Sequence, residues 1–220
     1  MATYALRERE CQRWHRKLGG MNSEGTVRAD LRELGKSAIR AEVAQRAIAL
    51  LDERGFDQTT VEDIAIATGI SPRSFFRYFP TKEDVVIGDL MAMGLLVEAA
   101  LRERPADESP WAALRASLEP LVRTAAGDPA NVLRTTRVAM STAGLRARSI
   151  ERHTAWAAVL TPIVEERLTA TSAHPSMAAG ALAQSALACL FVATAAWAEA
   201  DGADSYGDLL DEAFAAVGTL

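Results

Sequence analysis

Six side chains close together carry the chemistry that stands out in this sequence: Arg73, Ser74, Phe76, Arg77, Tyr78 and Lys82. Guanidinium groups donate a bidentate fork to phosphate or to the acceptor edge of guanine, and hydroxyls donate to phosphate. An aromatic ring packs on a thymine methyl or a sugar. That set, within little more than two helical turns, fits the reading of double-stranded DNA. Catalytic chemistry finds no comparable constellation. The three histidines (His15, His153, His174) lack metal-ligand spacing. There is no Gly-rich phosphate loop and no nucleophile motif. Glu165 and Glu166 are adjacent, and adjacent helical residues do not face one site; His153 has no evident partner. A helical enzyme built on these groups is the rival reading, and the sequence gives it no catalytic residue, metal or cofactor.

The elements around the cluster explain how it would be held. Thr60 is a good N-cap, with Asp63 three residues on as a near match to a capping box. Ile64, Ala65 and Ala67 give the helix that follows a buried side, and Thr68-Gly69 ends it. Ser71 caps a second helix with Pro72 at its first position, where a missing N–H costs nothing. Pro80 stops that helix. Thr81 caps a third, whose first turn holds Glu83 and Asp84. Two short helices joined by a Gly-containing turn form a helix-turn-helix, with the second helix in the major groove. Ahead of it, Ser37 to Arg54 reads as a supporting helix with Ile39, Val43, Ala47, Ile48 and Leu51 on one face. Gly55 ends it and Phe56 plugs the core beneath.

Gly69-Ile70-Ser71 followed by Ser74-Phe75-Phe76-Arg77-Tyr78-Phe79-Pro80-Thr81-Lys82-Glu83-Asp84 closely resembles the DNA-binding signature of the TetR family of bacterial transcriptional regulators. The close match covers about residues 37 to 90. It implies DNA contacts from Thr60, Ser71, Arg73, Ser74, Phe76, Arg77, Tyr78 and Lys82. Phe76 stands where the family commonly has Tyr, and Lys82 where it clamps a backbone phosphate. Phe75 and Phe79 are read as core. The resemblance further implies an all-α fold: an N-terminal three-helix helix-turn-helix domain, then a larger helical ligand-binding and dimerisation domain (about nine helices). The expected boundaries are 1–36 for a flexible arm, 37–84 for the DNA-binding domain, and 85–220 for the effector and dimerisation domain.

Composition agrees. Nearly half of the 220 residues are apolar, and the net charge is −5. Residues 1–82 hold 14 Lys+Arg against 11 Asp+Glu, a balance of +3, and residues 83–220 stand at −8. The basic excess travels with the helix-turn-helix, while an acidic remainder discourages non-specific phosphate contact. Two distant cysteines, Cys11 and Cys189, form no framework and suit a reducing cytoplasm. The N-terminus lacks the apolar core of a secretory signal, and Met21 offers an alternative start. Met177 to Ala198 has no charged residue, but alanine dominates it and Gln184, Ser185 and Thr194 interrupt it. It is expected to be a buried or interfacial helix, not a membrane span.

Lys82 to Arg104 reads as a long helix linking head to body, suited to act as a lever. In the body, Pro120 and Pro162 fall inside helical patterns and predict bends. Bent helices leave gaps, and a pocket among Trp111, Leu118, Val122, Met140, His153, Trp156 and Leu160 would be apolar with a few polar groups, as small-molecule sites are. The plain alternative is that these residues are core. Gly144 to His153, GLRARSIERH, together with Trp156, is similar to effector domains of a mainly actinobacterial subgroup that includes regulators of mycofactocin-associated genes. That biases the effector towards an apolar, acyl-CoA-like molecule. The family implies a homodimer through its last two helices, with Leu187, Phe191, Trp197, Leu210 and Phe214 supplying buried area. Such a dimer would read a palindrome with half-sites about 34–36 Å apart or a multiple of it. A helix-turn-helix protein controlled by protein contact alone, without an effector, is the remaining alternative.

Overall fold

The computed structural model describes residues 25–168 and 172–218, with side chains outside 25–34 and 89–92. Of the expected arm at 1–36, residues 1–24 lie outside the described residues. Ten helices are described: α1 (Gly25–Arg54), α2 (Val61–Thr68), α3 (Pro72–Tyr78), α4 (Glu83–Arg102), α5 (Pro110–Ser117), α6 (Glu119–Gly127), α7 (Pro129–Ser141), α8 (Ala143–Leu168), α9 (Pro175–Glu199) and α10 (Tyr206–Gly218). No strand occurs among the described residues. The chain divides into two compact units, 1–42 and 43–220. The first unit contributes the opening turns of α1, which begins at Gly25, well ahead of the expected Ser37. The run Arg28-Ala29 and Leu31-Arg32-Glu33-Leu34 supplies good helix formers to that extension.

In the second unit, α2 and α3 are fixed by local chemistry. Thr60 and Asp63 form a full capping box, with Thr60 N–H donating to Asp63 Oδ2 at 2.9 Å and Asp63 N–H to Thr60 Oγ1 at 3.1 Å. The Thr60 hydroxyl, which also donates to Asp63 Oδ2 at 2.6 Å, and secondly the Thr60 backbone N–H hold the Asp63 carboxyl below its usual range. Gly69 takes the left-handed φ of 73° that the turn requires. Ser71 Oγ accepts from Ser74 N–H at 3.1 Å, with Pro72 at the helix start. Of the expected buried side of α2, Ile64 and Ala65 are buried, but Ala67 is exposed and Ile66 is 81% exposed.

One hydrophobic cluster joins this head to the body. Val43, Ala47, Leu51, Phe56, Ile64, Phe75, Phe79 and Val85 pack together with Val138 and Ala139 of α7 and Leu145 of α8. The 84/85 boundary expected from the sequence therefore runs through a continuous core. Arg137 of α7 adds an ion pair to Asp52 of α1 at 3.1 Å.

The body is built on α8 and α9, which pack along each other, with α4 and α7 against α8, and α10 and α5 against α9. Two proline expectations part company here. At Pro120 the chain breaks at Leu118 instead of bending, and Pro120 sits in the first turn of α6, where its missing N–H is harmless. At Pro162 helix α8 runs on unbroken, with the proline exposed. By length and composition α9 could cross a membrane. Here its inner side, from Ala179 through Ala183, Leu187, Leu190 and Trp197, is buried in the core.

Leu145 is fully buried where the shared cluster reaches α8. Leu145→Ala should cost about 2–5 kcal/mol in urea unfolding. Because the cluster is continuous, proteolytic sensitivity of the head and of the body should rise together.

Candidate nucleic-acid interface and effector site

The outward side of α3 is set by its inward anchors. Phe75 and Phe79 are fully buried, with rings 5.4 Å apart. That rotation leaves Arg73, Phe76 and Arg77 exposed at i, i+3 and i+4, on one face. Phe76 is 52% exposed, although a phenyl ring gains nothing from water. Arg77 lies over Tyr78, 5.0 Å from the ring centroid, and donates to its hydroxyl at 3.1 Å. Ser74 Oγ meets Ser71 Oγ at 3.0 Å. Thr60 is exposed, with its hydroxyl given to Asp63.

Lys82 differs from the simple clamp implied by the resemblance. Its ammonium turns inward, donating to Phe56 O at 2.7 Å and Thr59 O at 2.9 Å, and lies 4.1 Å from the Phe56 ring centroid. An ammonium has three donors, so one remains for phosphate. The other two tie the start of α4 to the loop that precedes α2.

The seven expected effector residues take different places among the described residues. Leu118, Trp156 and Leu160 are buried in the body core, with Trp111 and Val122 packed against it. Trp111 stacks on Phe214 at 4.6 Å and donates its indole N–H to Phe214 O at 3.2 Å. His153 lies between Trp156 at 5.8 Å and Phe191 at 6.0 Å. Met140 is half-buried at the end of α7. A groove of about 560 Å3 runs between α4, α5 and α6, walled by Arg104, Arg115, Arg123, Glu103 and Glu119 and by none of the seven. Of the expected dimer residues, Leu187, Trp197, Leu210 and Phe214 are buried within the chain itself, and Phe191 is half-buried. Their buried area stabilises this subunit.

Three further residues on α8 and α4 escape a reading of the sequence alone. On α8 the core side runs through Leu145, Ser149, Arg152, Trp156, Leu160 and Val164. Ile150, on the same helix, is 56% exposed. Stepping back from Trp156 by four and then three residues would have placed Arg152 and Ser149 inside. Arg152 is only 8% exposed, its guanidinium 5.8 Å from the Trp156 ring centroid. Burial lowers its pKa to about 10, so it stays cationic at neutral pH. The third residue is Gly94 of α4. A Cβ there would lie 2.5 Å from Trp156 Nε1, so only glycine lets the indole rest on the helix backbone. At the head end of the same seam, Arg148 of α8 pairs with Asp84 of α4 at 3.3 Å. Asp84 also accepts from the Thr81 backbone N–H at 2.9 Å.

Known proteins match both halves. Residues 44–87 fit the model for bacterial regulatory proteins of the tetR family, and residues 108–219 fit the MftR C-terminal domain. The HTH-type transcriptional regulator TcmR of Streptomyces glaucescens is 38% identical over 84 residues, 38% of this chain and 37% of that protein. The match therefore spans under half of that relative's length. A Mycobacterium tuberculosis H37Rv protein, named MftR for mycofactocin biosynthesis transcriptional regulator, is 29% identical over 60% of this chain and 67% of its own. Among solved structures, FadR from Bacillus subtilis in complex with stearoyl-CoA has the same fold. Its TM-score is 0.57 at 18% identity, covering 79% of this chain and 95% of that one.

His153 offers a test of the burial on α8. Burial, and secondly the charge of Arg152, lower its pKa from 6.5 to about 4. Between those values the unfolded chain takes up a proton that the folded protein resists. Stability from this group is therefore intact above pH 6.5 and falls as pH drops towards 4. Urea unfolding at pH 7 and pH 5 should show a smaller loss for His153→Gln than for the wild type.

Proposed function

The chain belongs to the tetR family of bacterial regulatory proteins, with an MftR-type C-terminal domain, and from that premise we propose that it is a dimeric, ligand-responsive DNA-binding regulator. It represses from a palindromic operator in the cytoplasm and is released by an apolar small molecule. The observation that carries this reading is the division of α3. Phe75 and Phe79 hold the helix, while Arg73, Phe76 and Arg77 face outward together. Arg73 and Arg77 read base edges or phosphate. Phe76 packs on a thymine methyl or sugar. Ser71, Ser74, Thr60, Tyr78 and the remaining donor of Lys82 hold the backbone and set the register.

In this reading, residues 37–84 form the DNA-binding domain and 85–220 the effector and dimerisation domain, coupled through the core they share. Dimerisation uses the outer side of α9, where Met177, Ala181, Gln184, Ala188 and Val192 are exposed at helical spacing. Met177 is 71% and Val192 59% exposed, and the small residues between them allow close helix approach. The effector lies against α8. Its class is acyl-CoA-like, a choice supported by the similarity of Gly144 to His153 and Trp156 to the mycofactocin-regulator subgroup and by the shared fold of FadR from Bacillus subtilis. A ligand there shifts α4 only to the extent that it binds the DNA-competent and released states with different affinity. Control by protein contact alone would leave the buried polar face of α8 without a use.

Selection of bound fragments from random double-stranded DNA should return an inverted repeat. Arg77→Ala should bind that fragment at least tenfold more weakly, roughly the 1–3 kcal/mol of a bidentate contact, and remain dimeric by size exclusion. Undiminished binding would refute α3 as the reading helix.

A further inference from the structure

The core side of α8 contains an anomaly. Between the apolar positions Leu145 and Leu160, three residues bury polar atoms that meet no partner: Ser149 Oγ, Arg152 Nε and Nη1, and Trp156 Nε1. The residues are 3%, 8% and 5% exposed, respectively. They stand at i, i+3 and i+7, on one face of the helix. Nearly all buried polar groups in folded proteins are paired, so three together on one face call for a specific explanation.

The chemistry of the set is one-sided. The guanidinium and the indole N–H only donate, and the hydroxyl is free to donate. A buried unpaired cation is strongly disfavoured unless a partner neutralises it. The described carboxylates flanking this stretch, Asp84 and Glu151, are both engaged by Arg148 on the exposed side of the helix. What fits is a group that only accepts, carries negative charge and comes from outside. Next to Arg152 in the chain, the His153 ring lies beside those of Trp156 and Phe191; burial keeps the imidazole uncharged at neutral pH.

We propose that the Ser149–Arg152–Trp156 face of α8 binds the anionic group, carboxylate or phosphate, of an effector whose remainder is apolar. This rests on the ligand-responsive reading above and adds to it the residues that receive the charged end of the effector. The anion sits on α8 between the two points where that helix grips α4, Arg148–Asp84 and Trp156–Gly94. Drawing Arg152 and the Trp156 N–H towards an anion changes the surface on which Gly94 rests.

The test uses the full chain, wild type and Arg152→Met, with sodium decanoate, methyl decanoate and decanoyl-CoA as probes in thermal melting and isothermal titration. An anionic probe should raise the wild-type Tm while the neutral ester should not. Decanoate acting alone identifies a carboxylate, and decanoyl-CoA acting alone identifies a phosphate-bearing group. Ligand-free Arg152→Met should melt at or above the wild-type Tm, having lost an unpaired buried charge, and should bind the anion at least tenfold more weakly. Arg152→Lys, which keeps the charge, should retain part of the preference. The proposal is overturned if Arg152→Met melts lower and responds to the anion as wild type does, if ester and acid act alike, or if neither anion binds. Binding to the selected palindrome, measured in parallel, separates the two claims. Release by ester and acid alike would spare the regulator and remove the anion site, whereas no palindrome binding at all would remove the regulator itself.

Discussion

Helix α4 is gripped by α8 at two places. At its start, Arg148 holds Asp84; ten residues on, roughly 15 Å at 1.5 Å per residue, the Trp156 indole lies on Gly94. The first contact is electrostatic and partly exposed, so it is adjustable. The second is steric, with no Cβ to spare, so it is not. A displacement of α8 near Trp156 must therefore move α4 or open a gap. What α4 carries at its head end is short and rigid: Asp84 in its bonds to Thr81, then Lys82 holding the Phe56 and Thr59 carbonyls. The first capped residue after those carbonyls is Thr60, the start of the helix-turn-helix. Contact is continuous from the body core to the reading head.

Binding and stability are assigned to alternate side chains in the head. A helix of seven residues does not persist alone in water, so α3 exists because Phe75 and Phe79 are packed. Its exposed residues are then free of structural duty. In the body the division is less clean. The same face of α8 that holds the core together also carries Arg152, a charge that costs stability where it stands. Proteins retain such costs at functional sites.

Much of this was legible in the sequence because the signals are local. Thr60 with Asp63, Gly69, Ser71-Pro72 and Pro80 each act within a turn of the chain, and together they fix α2 and α3. Phe75 and Phe79 were recognisable as core for the same reason. What was not legible depends on distant partners. Lys82 turns inward because Phe56 and Thr59, more than twenty residues earlier, offer carbonyls. Leu187, Trp197, Leu210 and Phe214 are consumed inside the subunit because α8 and α10 flank α9. No pattern within one helix distinguishes that from an outer interface. Pro120 breaks the chain where a bend was expected, since a proline one residue into a new helix costs less than one in the middle of an old one. Arg152 escaped notice for a different reason. An arginine in a helical stripe is ordinarily solvated, and only the register carried back from Trp156 places it inside.

The central claim is that the fit of α8 on α4 sets the affinity of the head for DNA. Gly94→Ala tests it most directly, because it adds one methyl group at the seam and alters no residue on the reading face. The measurement is the operator Kd of this variant, without effector, alongside its circular dichroism and size-exclusion profile. Binding should be at least tenfold weaker, with helix content and dimer intact. Wild-type affinity, with altered Trp156 packing seen by indole N–H chemical shift, would contradict it.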